Sequence, residues 1–406
     1  MARPQLRAIS PEWTQHEGRR MLLLRDHLRL TENGILVPPH VVQVLALFDG
    51  QRDRARIRQA YQQQTGNAIS ASDLDHLIGQ LDDLLLLVSP RSAAAYQAAL
   101  AAYRAAPFRP PALAGRVYPA EPKALAAQLA GWVAEAVQRL AEPTATRQVK
   151  GVVSPHIDYG RGAEVYADVW LPAVTAVQEA DLIIVFGTDH HGSAGSVTPT
   201  YQRYATPLGV LPNDTAVIAA LVDALGEEAA FAEELHHRDE HSIELAAVWL
   251  RYLLAGRTTP VVPILTGSFH PFTQGEDDAA HFAPFSKAIA ALQDVTRGQR
   301  VLVVAAADLA HVGPAFGDSV PLDDLAKQRI ASADQTLLDA LCTGDPATFL
   351  RPLQNDRDAR RICGLPPVYL TLRYLAGARG RVTGYRQCPA DVTFSSLVSV
   401  AGVLLE

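Results

Sequence analysis

Short apolar runs bounded by polar turn residues recur through the later three quarters of the chain and set its predicted architecture. Val152-Val153, Leu182 to Phe186 and Val301 to Val304 are β-branched or apolar throughout. That is the pattern of strands buried on both faces. They predict strands near 149–154, 182–187, 260–266 and 300–306. Helical periodicity falls between them, near Pro122 to Leu140, 214–225, 241–254 and 324–341. The alternation predicts an α/β fold, a mostly parallel central sheet flanked by helices. Arg381 to Gln387 and Thr393 to Leu404 read as final strands that add antiparallel pairs. No internal repeat or low-complexity tract interrupts the pattern.

Residues 1–88 read as a separate small α+β module. Met21 to Arg29 is strand-like, Thr31-Glu32-Asn33-Gly34 is turn chemistry, and Ile35-Leu36-Val37 pairs back as a hairpin. Helices follow near His40 to Phe48, Ala55 to Gln64 and Ala71 to Leu84, the last with Ser70 or Ser72 as its N-cap. Leu84 to Val88 suits a closing strand. The hairpin-then-helices order, with "LFDGQRDRARI" followed by "DLDHLIGQLDDLLLL", resembles the PqqD-type winged-helix module that holds a peptide strand. A helical cap on the main domain is the competing reading. Residues 89–111, alanine-rich and ending in Pro107, Pro110 and Pro111, read as a linker with a short helix. Residues 112–406 form the α/β domain.

Composition narrows the function classes. The chain has 406 residues, enough for two domains, and 48% hydrophobic with 19% charged residues describes a packed globular protein. A net charge of −7 lacks the basic footprint of a nucleic-acid binder. The first residues are polar and charged with no apolar h-region, so no signal peptide is expected. No run is long enough to span a bilayer. Three cysteines without paired spacing argue against a disulfide framework and make a reducing cytoplasm the expected compartment.

The candidate chemistry sits where strands end. Ser154-Pro155-His156-Ile157-Asp158-Tyr159-Gly160, Gly187-Thr188-Asp189-His190-His191-Gly192 and Asp308-Leu309-Ala310-His311 each follow an apolar strand. In an open α/β sheet such loops converge on one crevice. A lone histidine there is ordinarily a hydrogen-bonded structural residue. Two on separate strands, joined by Asp308 and His311 on a third, point to a shared site. His190 and His191 are consecutive and face opposite ways in extended chain, so His190 is the ligand candidate and His191 a supporting or packing residue. Cys363 precedes Gly364 and two prolines at a predicted helix start, beside Arg360 and Arg361, a setting that lowers a thiol pKa. Cys342 and Cys388 read as structural. Glu240 and His241 place an acid beside a base at the start of another helix, where acids are also favoured by the helix dipole alone. The spacing is not that of a helical zinc peptidase.

The set "AGRVYPAEP", "SPHIDYG", "FGTDHHGS", "DEHSIE", "PILTGSF", "DLAH" and "ICGLPP" resembles the MEMO family (mediator of cell motility and its microbial relatives). The likeness runs from about Ala112 to Glu406. Microbial members are often described as protein B of the AmmeMemoRadiSam system, which includes a radical-SAM enzyme and so implies such partners. The resemblance implies a fold similar to class III extradiol dioxygenases, which use non-haem iron(II). It also implies a metal held by His156, His190 and Cys363, with Asp308 and His311 in the same cleft. Two departures from the family pattern are Asp158 and Asp189, which would add carboxylates beside the ligands. Asp158, two residues from His156, shares its face in extended chain, whereas Asp189 is expected to point elsewhere.

Three functions remain open. The first is a mononuclear non-haem iron redox enzyme or oxygenase, with His311 as general acid/base positioned by Asp308 or by backbone. The catalytic candidates are then His311, Asp308 and His241, and the supporting ones Asp158, Asp189, His191 and Glu240. Iron(II) is the expected metal, with copper or zinc chemically compatible with a thiolate ligand. The second is a non-catalytic metal-binding protein that works through a partner. The third is a zinc hydrolase. A peptide or protein partner is expected at the N-terminal module, and neither nucleic acid nor membrane.

Overall fold

The computed structural model describes residues 3–140 and 148–406. The chain divides into two compact units, residues 1–105 and 106–406.

The first unit holds a three-stranded antiparallel sheet: β1 (Ile9–His16), β2 (Arg19–Asp26) and β3 (Ile35–Val37), in the order β1-β2-β3. The expected hairpin is present, with Leu22 opposite Val37 and Leu24 opposite Ile35. Strand β1 was not anticipated, because Ser10, Pro11, Glu12, Thr14, Gln15 and His16 give it no apolar alternation. Helices α1 (Pro39–Leu45), α2 (Arg54–Thr65) and α3 (Ala71–Asp83) follow. Ser70 caps α3, its Oγ accepting from Asp73 N at 3.0 Å. Leu74, Leu77, Ile78 and Leu81 line one side of α3 and pack on Leu22, Leu24, Val37 and Ile57. The apolar run after α3 is not a strand. Leu85 turns left-handed at φ 59°, and Leu87 makes only an isolated bridge with Leu6. Burial of Leu86 and Leu87 explains the run without sheet pairing. Helix α4 (Pro90–Ala105) spans 16 residues of the stretch expected as a linker with a short helix.

The second unit is built on an eight-stranded sheet. Its strands are β4 (Gly151–Ser154), β5 (Leu182–Thr188), β6 (Val197–Pro199), then, beyond a two-strand ribbon of β7 (Ala205–Thr206) and β8 (Gly209–Val210), β9 (Val261–Thr266), β10 (Val301–Ala306), β11 (His311–Val312), β12 (Gly380–Pro389) and β13 (Leu397–Leu405). The order is β11-β13-β4-β10-β5-β9-β6, with β12 on β13. The central strands β4, β10, β5 and β9 run parallel. The pairs outside them are antiparallel, as expected for the two final strands.

Helices α5 (Pro122–Arg139), α6 (Tyr159–Trp170), α7 (Val174–Glu179), α8 (Thr215–Leu225), α9 (Glu227–Phe231), α10 (Ser242–Leu253), α11 (His270–Gln274), α12 (Ala283–Val295), α13 (Asp324–Cys342), α14 (Pro346–Asn355) and α15 (Leu365–Leu375) flank the sheet. Both faces of β5 are covered: Ile184 and Phe186 enter one apolar cluster with α12 and α15, Ile183 and Val185 another with α6 and α10. This two-sided burial is why the strands are apolar at every position. Among the described residues no helix is long and apolar enough to cross a membrane.

Candidate metal centre

Four loops meet beyond the ends of the parallel strands. His156 follows β4, His190 follows β5, Asp308 and His311 follow β10, and Cys363 precedes α15. Hydrogen bonds lock the Cys363 loop to two strand ends: Thr188 Oγ1 donates to Cys363 O at 2.9 Å, and Gly364 N donates to Asp308 O at 3.0 Å. Glycine at 364 is required by closeness. A Cβ there would lie 2.4 Å from Asp308 O and 2.5 Å from Ala307 Cβ.

The sulfur of Cys363 comes to 3.2 Å from His156 Nε2. The opposite nitrogen of His156, Nδ1, lies 3.0 Å from the carbonyl of Ala306, which makes it an N–H donor and turns Nε2 toward the sulfur. Asp308 Oδ1 accepts from the backbone of His156 at 2.7 Å and of Ile157 at 3.2 Å, so this acid fixes the His156 loop. His311 is oriented by backbone: its Nδ1 lies 3.1 Å from Leu309 O, and its N–H donates to Arg360 O at 2.8 Å.

Glu240 organises the other side. Its buried carboxylate lies 3.0 and 3.1 Å from His190 Nδ1 and 3.0 Å from His241 Nδ1. It also accepts the backbone N–H groups of His190, His241 and Ser242. Helix α10 can bring Glu240 this close because Gly187 has no side chain. A Cβ there would sit 2.4 Å from Ile243 Cγ1 and 2.7 Å from Ser242 Oγ, the hydroxyl that donates to Thr188 O. The rings of His190 and His241 stack at 4.8 Å and 14°, and that of His156 stands edge-on to both. A ligand nitrogen from each of the three lies within 4.8 Å of the others.

Burial alone would raise the Cys363 thiol. The imidazoles of His156 and His311, and hydrogen bonds from His156 and His190, instead hold it well below the usual thiol range. The arginines expected to do this do not: Arg360 pairs with Asp334 and Arg361 with Asp318. Burial would likewise depress His156, but Asp308 and Cys363 lift it to about 9. His190 is raised by Glu240 and Cys363 against its own desolvation. Anionic groups dominate the centre, and the softness of its donors, imidazoles with a thiolate, fits a transition metal.

The added carboxylates lie outside this set. Asp158 does not support an imidazole. It caps α6, Oδ1 accepting from Arg161 N at 3.2 Å, and pairs with the Arg161 guanidinium. The chain turns into α6 directly after Asp158, so its place beside the cavity that His156 lines follows from the helix start and not from alternation along extended chain. Asp189 turns away as expected, to His236 Nδ1 at 2.8 Å and His191 N at 3.1 Å. His191 is exposed. Sequence reasoning missed Arg109. This fully buried guanidinium pairs with Glu244 and donates to the carbonyls of His237 and Glu240, each at 2.7 Å, bracing the turn that carries Glu240 and His241. An arginine after the apolar-aromatic Pro107-Phe108 was its only signal.

A cavity of about 520 Å³ opens onto His156, His190, His241 and His311, with Leu113 and Phe316 among its apolar walls. Cys363 and His190 also border a second cavity of about 240 Å³.

Fold and site together define an α/β protein with a histidine-rich centre at the carboxyl ends of its parallel strands. Residues 109–404 match the family described as "Memo-like protein", and the chain belongs to that family. A "MEMO1 family protein" of Aquifex aeolicus is 25% identical over 94% of this chain and 95% of its own length. One of Methanosarcina acetivorans is 27% identical over 74% of this chain and 99% of its own. One of Thermus thermophilus is 29% identical over 68% and 77%.

Proposed function

We propose that this chain binds one redox-active transition metal ion through His156, His190 and Cys363 and serves as a non-haem iron oxidoreductase or oxygenase acting on a small molecule in the adjoining cavity. The observation that carries the reading is the approach of the Cys363 sulfur to His156 Nε2 at 3.2 Å, in a pocket where the thiolate is the favoured form. Iron(II) would supply one-electron and dioxygen chemistry there.

The protein's own groups have separable tasks. Ala306 O and Glu240 hold the Nδ1–H atoms of His156 and His190, so each ring offers Nε2. Asp308 clamps the backbone that carries His156. His311 donates Nδ1–H to Leu309 O and presents the basic Nε2 to the cavity, where it can accept a proton from bound substrate and return it. Phe316, edge-on to His311 at 5.1 Å between ring centres, forms part of the cavity wall beside that ring.

Anaerobic loading with iron(II) should give one tightly held ion per chain. Admission of dioxygen should then develop a thiolate-to-iron(III) charge-transfer absorption that is absent from C363S. Tight zinc binding with no iron binding would overturn the redox assignment.

A further inference from the structure

We propose that His241 is a fourth protein ligand, so that the resting centre is a closed site of three histidines and one cysteine. This rests on the reading of His156, His190 and Cys363 as ligands and changes what that centre can do.

The argument starts from Glu240. One carboxylate takes the Nδ1 side of His190 and of His241 together. Each ring is thereby fixed in the tautomer whose Nε2 carries a free lone pair. The rings are nearly parallel at 14° with centres 4.8 Å apart, so their Nε2 atoms project side by side. His156 meets both edge-on, at 5.1 and 5.4 Å between centres. The ligand nitrogens of all three fall within 4.8 Å of one another. Donors bound at about 2.0–2.3 Å to a tetrahedral ion stand about 3.3–3.8 Å apart, so a small inward rotation brings the three together.

A packing role explains this arrangement poorly. His241 opens α10 but its side chain does not cap the helix. Its side chain remains 38% exposed and faces the large cavity, whereas the His156 side chain is 2% exposed. A stacked, carboxylate-oriented imidazole facing a cavity beside two ligand candidates is placed to bind metal.

Three histidines and a cysteine fill a tetrahedral site and leave no open position. An external ligand would then enter by displacing one protein ligand. His241 is the one to leave: His190 also lines the cavity and its side chain is 31% exposed, but its loop is held by the backbone bond from His190 N to Glu240 and by the pairing of β5 that precedes it, whereas the His241 side chain is 38% exposed. The centre would rest closed and open on substrate binding, which keeps water and small anions off the metal between turnovers.

Cobalt(II) substitution of the full chain tests this by absorption alone. The native protein should show the intense visible bands of four-coordinate cobalt with a thiolate charge-transfer band, and azide should leave them unchanged. H241A should show weaker bands of higher coordination, respond to azide, and regain the native spectrum with added imidazole. Its cobalt affinity should fall more than about 100-fold, beyond the usual loss for a residue that only orients a ligand. H241Q, closer in size, should give the same spectral change if H241A folds poorly. C363S should lose the charge-transfer band. If C363S loses that band while H241A and H241Q keep the native spectrum and its resistance to azide, His241 is no ligand and this inference alone fails. If C363S keeps the band, the ligand reading beneath it fails too.

Discussion

The Cys363 sulfur lies 3.2 Å from Nε2 of His156, a residue 207 positions earlier in the chain. Two loops enforce the contact, one clamped by Asp308 Oδ1 and the other hydrogen-bonded to Asp308 O and Thr188 Oγ1. The same aspartate therefore anchors both partners, through its side chain and its backbone.

That closeness makes Gly364 sensitive. In G364A the new methyl meets Asp308 O, and either the Cys363 loop or the end of β10 must shift. Overpacking of this kind costs about 1–3 kcal/mol. Thermal unfolding should show the loss, and metal affinity should fall with it because the sulfur is displaced. Native affinity in a destabilised G364A would separate the loop position from the centre.

Glu240 should matter through the rings it orients. E240Q keeps the size of the side chain but loses the charge that holds two Nδ1–H groups. Metal affinity measured against a competing chelator should drop about 10- to 100-fold. An unchanged affinity would show that His190 needs no such partner.

Arg109 is predicted to be structural. R109A removes two bonds to backbone carbonyls and strands the buried Glu244 carboxylate, which also receives Ala112 N, Leu113 N and the Tyr118 hydroxyl. Breaking a buried pair from one side typically costs about 3–5 kcal/mol. Chemical denaturation should show a loss of that order, with R109M less affected than R109A only if packing outweighs the charge.

His237 should give an acid-sensitive stability term. Its ring is fully buried, accepting from Tyr204 OH at 2.8 Å through Nδ1 and donating to Thr198 O at 2.8 Å through Nε2. Burial, foremost, and the nearby Arg109 charge push it down to about 3. A base with a depressed folded pKa binds fewer protons folded than unfolded. Its stabilisation is therefore complete above about pH 6.5 and is lost as pH falls toward 3, at up to about 1.4 kcal/mol per pH unit. The difference between native protein and H237Q, measured by denaturation across that window, should slope accordingly. A flat difference would mean the ring protonates freely in the fold.

The parallel sheet was legible because β4, β5, β9 and β10 are apolar at nearly every position, and buried strands leave no other signature. The strand-end histidines were legible for the same reason, since each follows such a run directly. What escaped were contacts between segments distant in sequence. Nothing local tells that Arg109 reaches His237 and Glu240, or that the Cys363 thiol is tuned by His156 and His311 rather than by its neighbours Arg360 and Arg361. Asp158 reaches the cavity through the start of α6, a turn that alternation along extended chain does not describe. Glu240 and His241 were singled out as an acid and base pair, but their stacking under His190 depends on Gly187, an absence of side chain that carries meaning only in three dimensions.

The central claim is that one metal ion is shared by residues from three separate loops. Competitive titration of the full chain with cobalt(II) or iron(II) under anaerobic conditions, repeated on H156A, H190A and C363S, tests it most directly. The account predicts one high-affinity ion per native chain and loss of that site in each variant, with circular dichroism unchanged. A native chain that binds no ion tightly, or variants that all retain native affinity, would contradict it.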